Sequence, residues 1–334
     1  MAQVSRTFAL TIPQLPGDLR LVVSNAYLMC RIADTIEDAE SLSPGEKRQF
    51  QEQFIAVAEG AQAPGPLAEA LSRQLDERTL EAERDLVRNM ARIIQVLRSF
   101  TERQQAAIIR CVRIMGEGMT VFQEGQFSSG LADQRQLDIY CYHVAGVVGE
   151  MLTELFCAHS PTIDAHHDEL WKRAVSFGQG LQMTNILKDL WDDKSRGVCW
   201  LPQQTFIDKG FDLQHMSRDE RDAAFEAGLG HVIGVARSHL KDALEYTLLI
   251  PRSEVGIRRF CLWAIGMAVL TLRNINRRRD FTSGSEVKIS RRTVKATILT
   301  TRLAERSNTL LRALFELTVK GLPKATVNTE QTSA

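Results

Sequence analysis

Apolar residues recur at three- and four-residue steps through 19–37, 48–58, 86–100, 104–122, 136–157, 168–191, 219–249 and 255–276. That spacing lines one face of a helix, so each stretch predicts an α-helix with a buried stripe. Period-two alternation bounded by tight hairpin turns is missing, and no sheet is predicted. Short breakers separate the helical stretches: "SLSPGE" (41–46), "AQAPGP" (61–66), "QFSSG" (126–130), "HSPT" (159–162), "IPRS" (250–253) and "TSGS" (282–285). None is long or biased enough for a linker between domains. The pattern predicts an all-α chain with one domain over 1–321 and a polar, disordered tail over 322–334.

Two of these helices carry polar residues where apolar ones are expected. In "NAYLMCRIADTIEDAE" (25–40), Tyr27, Arg31, Asp34 and Asp38 fall at i, i+4, i+7 and i+11. In "LQMTNILKDLWDD" (181–193), Gln182, Asn185, Asp189 and Asp193 fall at i, i+3, i+7 and i+11. Each set forms one stripe on a helix with apolar flanks. Aspartates four apart repel by a few tenths of a kcal/mol when solvated, and burying one unpaired costs several kcal/mol. One such pair reads most simply as a solvated face. Two pairs, each with amide or guanidinium neighbours, make sense if divalent cations lie between the carboxylates. Magnesium favours one or two carboxylates, several waters and phosphate oxygens, so an organic diphosphate is the implied ligand class.

The remaining features narrow the alternatives. Lys plus Arg and Asp plus Glu are 41 each, which leaves no basic footprint for nucleic acid. The six cysteines stand without C-x-x-C pairs and read as reduced packing residues of a cytoplasmic protein. No secretory h-region is visible near the N-terminus. The longest apolar run, "FCLWAIGMAVLTL" (260–272), is shorter than the roughly 20 residues that span a bilayer and predicts a core helix.

The segments "SRTF" (5–8), "YLMCRIADTIED" (27–38), "YCYHVAGVVGE" (140–150) and "LQMTNILKDLWDDKSRGVCWLP" (181–202) resemble, in order and spacing, the squalene/phytoene synthase family of head-to-head prenyl-diphosphate synthases. The resemblance implies the single-domain, all-α isoprenoid-synthase fold with a large central cavity. It implies Mg²⁺ held by Asp34, Asp38, Asp189 and Asp193, with Glu37 or Asp192 assisting through water. Ser5, Arg6, Phe8, Tyr27, Arg31, Gln182, Asn185 and Arg196 are implied substrate contacts on the polar side. Ala145, Val148, Gly149, Leu152, Tyr246 and Phe260 are implied contacts for the isoprenoid chain. For the glycine-rich helix, packing against a neighbouring helix is an equal reading. Tyr140 matches the family tyrosine that assists diphosphate departure or proton movement. His143 reads as structural. Lys188 departs from the arginine frequent at its position and keeps charge without bidentate geometry.

Within the family the open question is the fate of the cyclopropyl intermediate. "RRFCLWAIGMAVLTL" (258–272) followed by "SEVKISRRTV" (285–294) is similar to the branch that reduces it with NADPH to squalene. Lys288 and Arg291 are then implied cofactor contacts, with a basic surface loop as the plain alternative. Ser290 stands where that branch often has arginine. The other readings are a dehydrosqualene or phytoene synthase without a hydride step, and a non-catalytic helical assembly protein. The implied substrate is farnesyl diphosphate, whose oily tail and product suit peripheral membrane contact.

Overall fold

The computed structural model describes residues 6–123, 125, 127–217 and 221–325. Ser5 and the end of the expected tail, 326–334, lie outside the described residues. Helices α1 (Arg6–Thr11), α2 (Gly17–Asp38), α3 (Pro44–Glu59), α4 (Pro64–Gln74), α5 (Glu81–Arg88), α6 (Met90–Leu97) and α7 (Glu102–Gln123) come first. They are followed by α8 (Gln134–Cys141), α9 (Val147–His159), α10 (Pro161–Asp164) and α11 (His167–Ser195). The chain continues through α12 (Gln203–Ile207), α13 (Ala223–Leu249), α14 (Val255–Arg277), α15 (Gly284–Val287), α16 (Arg291–Ala304) and α17 (Asn308–Val319). No strand forms among the described residues, apart from one isolated bridge between Leu131 and Pro202.

Several breakers prove to be helix starts. Ser43 accepts from the Glu46 N–H while Glu46 returns the bond, a capping box ahead of Pro44 at the first helical position. Pro64 opens α4, and Ser283 and Glu286 form a second capping box at α15. Helices α4, α16 and α17 were not expected from the periodicity, because their apolar stripes are short and interrupted by exposed polar positions. The 86–100 stretch divides at Asn89 into α5 and α6. The 136–157 stretch is also not one α-helix. Tyr142–Gly146 forms a π-turn, in which the Val147 N–H reaches the Tyr142 carbonyl.

The chain folds into two compact units. The first takes the described residues up to Gly125 together with Glu150–His167. Its centre is α2, packed against α3, α5, α6 and α7. Met29, Ile32, Ala33 and Ile36 on α2 are fully buried, as are Phe54 and Leu71. Each large apolar side chain removed from water in this way contributes about 1.5–3 kcal/mol. Two buried amides lock α2 in register: Asn25 Nδ2 donates to Ile93 O at 2.9 Å, and Gln51 Nε2 donates to Ala33 O at 2.8 Å.

The second unit takes Gln126–Gly149 and Asp168 onward. Here α13 packs along α14, and α14 along α16 and α17. Arg258 is 0% exposed, yet its guanidinium is satisfied. It donates to Ile250 O at 2.7 Å, Thr247 O at 3.2 Å, Glu305 O at 2.7 Å and Asn308 Oδ1 at 2.8 Å. One planar fork thus absorbs the free carbonyls at the end of α13 and ties them to the α16–α17 junction. At 23 residues α14 is longer than the apolar run suggested and long enough to cross a bilayer. Phe260, Cys261, Leu262 and Trp263 are nonetheless buried in the unit, as a core helix requires. All six cysteines are buried free thiols.

Candidate active site

Helix α2 presents its polar stripe around one guanidinium. Arg31 Nη1 lies 3.3 Å from Asp34 Oδ2, and Nη2 lies 3.8 Å from Asp38 Oδ2 and pairs closely with Glu83. Glu83 comes from α5, is 5% exposed, and has no counterpart in the sequence expectations. Its segment, "LEAERD", carries a run of ordinary helix charges, and the partner Arg31 is 52 residues away. Glu37 belongs to the same cluster; Lys47 donates to its backbone carbonyl. Phe8 packs on Tyr27 with ring centroids 5.3 Å apart, and Arg6 opens α1.

Four carboxylates therefore gather near two cations, and the imbalance is felt. Burial pushes the Asp34 carboxyl up to about 7 against the pull of Arg31, with the Asp38 charge adding to the rise. This occurs although about a third of the Asp34 side chain, 32%, remains exposed. Burial, then Asp38 and Asp34, pushes Glu37 up to about 8. Burial works against the Arg31 charge, but the surrounding carboxylates more than offset it and raise its pKa further. A cluster that resists full ionisation for want of positive charge fits a divalent cation. Among the described residues no three His, Cys, Asp or Glu side chains converge into a ready-made metal cage.

Helix α11 carries the second stripe. Asn185 is exposed, Asp189 half-buried and Asp193 buried, so the stripe dips into the protein toward the helix C-terminus. Gln182, one turn earlier, is half-buried. Lys188 Nζ bridges Asn185 Oδ1 at 3.3 Å and Asp189 Oδ2 at 3.0 Å. Arg196 pairs closely with Asp193 one turn on. Burial raises the Asp193 carboxyl, Arg196 opposes the rise, and the Asp189 and Asp192 charges add to it. Against this stripe lies the loop after α14. A Cβ at Gly284 would fall 2.9 Å from Asp189 Oδ1 and 3.3 Å from Asp192 Oδ2. The approach brings the segment bearing Lys288 to the second acidic pair, with Asn274 Nδ2 anchoring it through Val287 O at 3.0 Å. Lys288 and Arg291 are both exposed, Arg291 as the first residue of α16.

Tyr140 is 7% exposed and stacks on Trp200, with centroids 4.1 Å apart and planes 8° apart. Trp200 is held there by backbone pairing: Cys199 N donates to Phe127 O at 2.8 Å and Leu131 N to Leu201 O at 2.9 Å. The π-turn just after Tyr140 shifts the helical register, so the buried stripe expected for one continuous α-helix over 136–157 is broken there. Tyr142 and His143 meet edge to face on the turn at 5.4 Å. Ala145 and Val148 are half-buried, and Leu152, in the first unit, is 8% exposed. Gly149 is buried at a helix crossing, where a Cβ would lie 2.0 Å from Ala174 O. Tyr246 and Phe260 are each 2% exposed, Tyr246 edge-on to Phe177 at 5.6 Å.

The squalene/phytoene synthase family profile matches residues 1–293. Squalene synthase of Bos taurus is 31% identical over 271 residues, and that of Homo sapiens 30% over 274. Each alignment takes in 81% of this chain and 60% of the relative, so the chain spans about three fifths of these relatives' length. Among solved structures, TcSQS with a bound ligand superposes with a TM-score of 0.73 at 22% identity, over 95% of this chain and 88% of that one. A dehydrosqualene synthase with a bound ligand reaches 0.66 at 19% identity, over 92% and 94%. These superpositions are of the all-helical isoprenoid-synthase fold, common to both branches. With a profile match whose span takes in both acidic stripes, the chain belongs to the squalene/phytoene synthase family.

Proposed function

We propose that the protein is a squalene synthase: a Mg²⁺-dependent prenyltransferase that joins two farnesyl diphosphates head to head and reduces the product with NADPH. The observation that supports this reading best is that each acidic stripe comes with its own cation. Arg31 engages Asp34, Lys188 engages Asp189 and Arg196 engages Asp193. Bound between these carboxylates, magnesium would supply positive charge to the aspartates and the diphosphate oxygens. Arg31, Lys188 and Arg196 would offer donors to phosphate oxygens and stabilise negative charge as the C–O bond breaks. Asp34, Asp38, Asp189 and Asp193 are the proposed metal contacts, and Gln182, Asn185 and Tyr27 the proposed polar support.

In the first half-reaction one diphosphate leaves, a carbon–carbon bond forms, and a proton is lost to give the cyclopropyl ester presqualene diphosphate. Tyr140, buried and fixed on Trp200, is positioned to move that proton or assist the leaving group. In the second half-reaction the remaining diphosphate leaves, the cation rearranges, and a hydride from NADPH quenches it. Lys288, four residues after the Gly284 that approaches Asp189, and Arg291, at the start of α16, offer charge to the cofactor phosphates. Buried apolar groups such as Phe260 and Tyr246, with Leu152 and Val148, are the proposed surroundings of the prenyl chains. We place this catalysis in one domain over 1–321.

The second reading keeps the first half-reaction and ends in dehydrosqualene or phytoene; Ser290 in place of the arginine frequent in the squalene branch favours it. Incubation with farnesyl diphosphate and Mg²⁺, with and without NADPH, followed by mass spectrometry separates the two. Presqualene diphosphate alone should accumulate without NADPH and give way to squalene with it. Dehydrosqualene or phytoene formed regardless of NADPH would move the protein to the other branch, and no condensation product at all would leave the helical assembly reading.

A further inference from the structure

Over much of the surface, arginines are neutralised in ion pairs. Arg73 meets Glu69, Arg88 meets Glu81, Arg113 meets Glu59, Arg173 meets Glu169 and Arg312 meets Glu245. Helix α16 departs from this. Its inner face lies on α14, where Thr297 Cγ2 sits 2.7 Å from the position of a Cβ on Gly266. Its outer face is a single stripe at steps of three and four: Arg292, Lys295, Leu299 and Leu303, with Arg306 following in the turn after the helix, all exposed. Arg302 flanks the stripe, with its guanidinium 5.7 Å from the Trp263 ring. Over 291–306 the one acidic residue is Glu305, which is 5% exposed and turned inward onto Arg259.

Between these cations stand bare leucines. Leu299 is 62% exposed and Leu303 78%, the highest exposure of any large apolar side chain among the described residues. Helix α17 adds Leu310 at 44% and Leu317 at 67%. The stripe beyond residue 293 also lies outside the stretch that the family profile matches.

We propose that the outer face of α16 is a docking surface for an anionic lipid bilayer. The occupant must take protruding leucines and neutralise a row of cations that has no acidic residue among them. A leaflet does both: leucines enter the acyl boundary while lysine and arginine stems extend to the headgroup phosphates. A second copy meeting this face symmetrically would set cation against cation. A folded acidic partner would need concavities for two leucines that project from a convex helix one turn apart. The surface stands whether or not the proposed activity does.

The test is flotation of the full chain with vesicles of phosphatidylcholine alone, or of equal parts phosphatidylcholine and phosphatidylglycerol, at low and high salt. The wild type should float with the anionic vesicles, remain largely free with the neutral ones, and be released by salt. Replacing both Leu299→Ser and Leu303→Ser should weaken partitioning about tenfold or more. Replacing both Lys295→Glu and Arg306→Glu should abolish the preference for anionic lipid. Melting temperature should stay near wild type in both, since these side chains are exposed. Wild type that stays free of anionic vesicles, or variants that float as wild type does, would overturn the proposal. So would a dimer in sedimentation that the same substitutions dissociate, because a second copy would then cover the face.

Discussion

The imidazole of His239, on α13, is 2% exposed, with Nδ1 3.2 Å from Ser176 Oγ and Nε2 without a hydrogen-bond partner among the described residues. Burial lowers its pKa to about 4. As pH falls from the ordinary histidine value of about 6.5, the unfolded chain takes up a proton that the folded one refuses. The contribution to stability is thus intact above about 6.5 and is lost progressively down to about 4. At pH 4.5 the loss amounts to about 2–3 kcal/mol. His239→Gln, which keeps a polar partner for Ser176, should flatten this limb when denaturation midpoints are followed from neutral to mildly acid pH. Parallel curves for the two proteins would assign the acid sensitivity elsewhere. Nothing in "ARSHLKD" marks this histidine as buried, since one residue on a helix carries no periodicity of its own. Asp34 and Asp189 were legible because their spacing repeats within one helix. Glu83 and Gly284 were not, because what joins them to those aspartates is tertiary approach.

At the scale of elements, the close crossing near the π-turn depends on two glycines. A Cβ on Gly178 of α11 would lie 2.0 Å from Ala145 O, and one on Gly149 would lie 2.0 Å from Ala174 O. Backbone atoms cannot rotate out of the way as side chains do, so the helices must separate to admit a methyl group. Gly178→Ala should cost about 3 kcal/mol. Gly17→Ala makes the control: it sits in the first turn of α2 with no atom within 4 Å of the added Cβ and should be neutral or slightly stabilising. Thermal melts of both compare the two directly. Equal melting temperatures would mean that the crossing can open at little cost. Sequence periodicity located the helices that matter here, but not this contact. The π-turn is a change of hydrogen-bond register that a 3.6-residue pattern cannot show, and the glycine-rich segment read equally well as packing or as room for a ligand. The basic segment at 288–292 looked like a loop because Ser290, which caps α16, separates Lys288 from the helix that holds Arg291.

For the molecule as a whole, 41 cationic and 41 anionic residues cancel, and what carries information is where the balance fails locally. On α2 it fails toward negative charge, with Asp34 and Glu37 held partly protonated near neutrality in the absence of further cations. On α11 Lys188 pairs with Asp189 and Arg196 with Asp193. If both stripes serve one Mg²⁺–diphosphate reaction, binding and turnover should need both. Magnesium with inorganic pyrophosphate should raise the melting temperature of the wild type, since a ligand bound only to the folded state stabilises it by mass action. Asp34→Asn and Asp189→Asn each keep the size of the side chain and remove its charge. Each should fold, with Asp34→Asn as stable as wild type or slightly more so because a poorly solvated carboxylate is gone. Each should lose most of the pyrophosphate-dependent gain, and turnover with farnesyl diphosphate should fall at least a hundredfold, about 3 kcal/mol of transition-state stabilisation. Chelation should abolish both signals in the wild type. A variant that retains the full thermal gain and the full rate would remove its stripe from the reaction, and with it the proposal that two halves so far apart in sequence perform one chemistry.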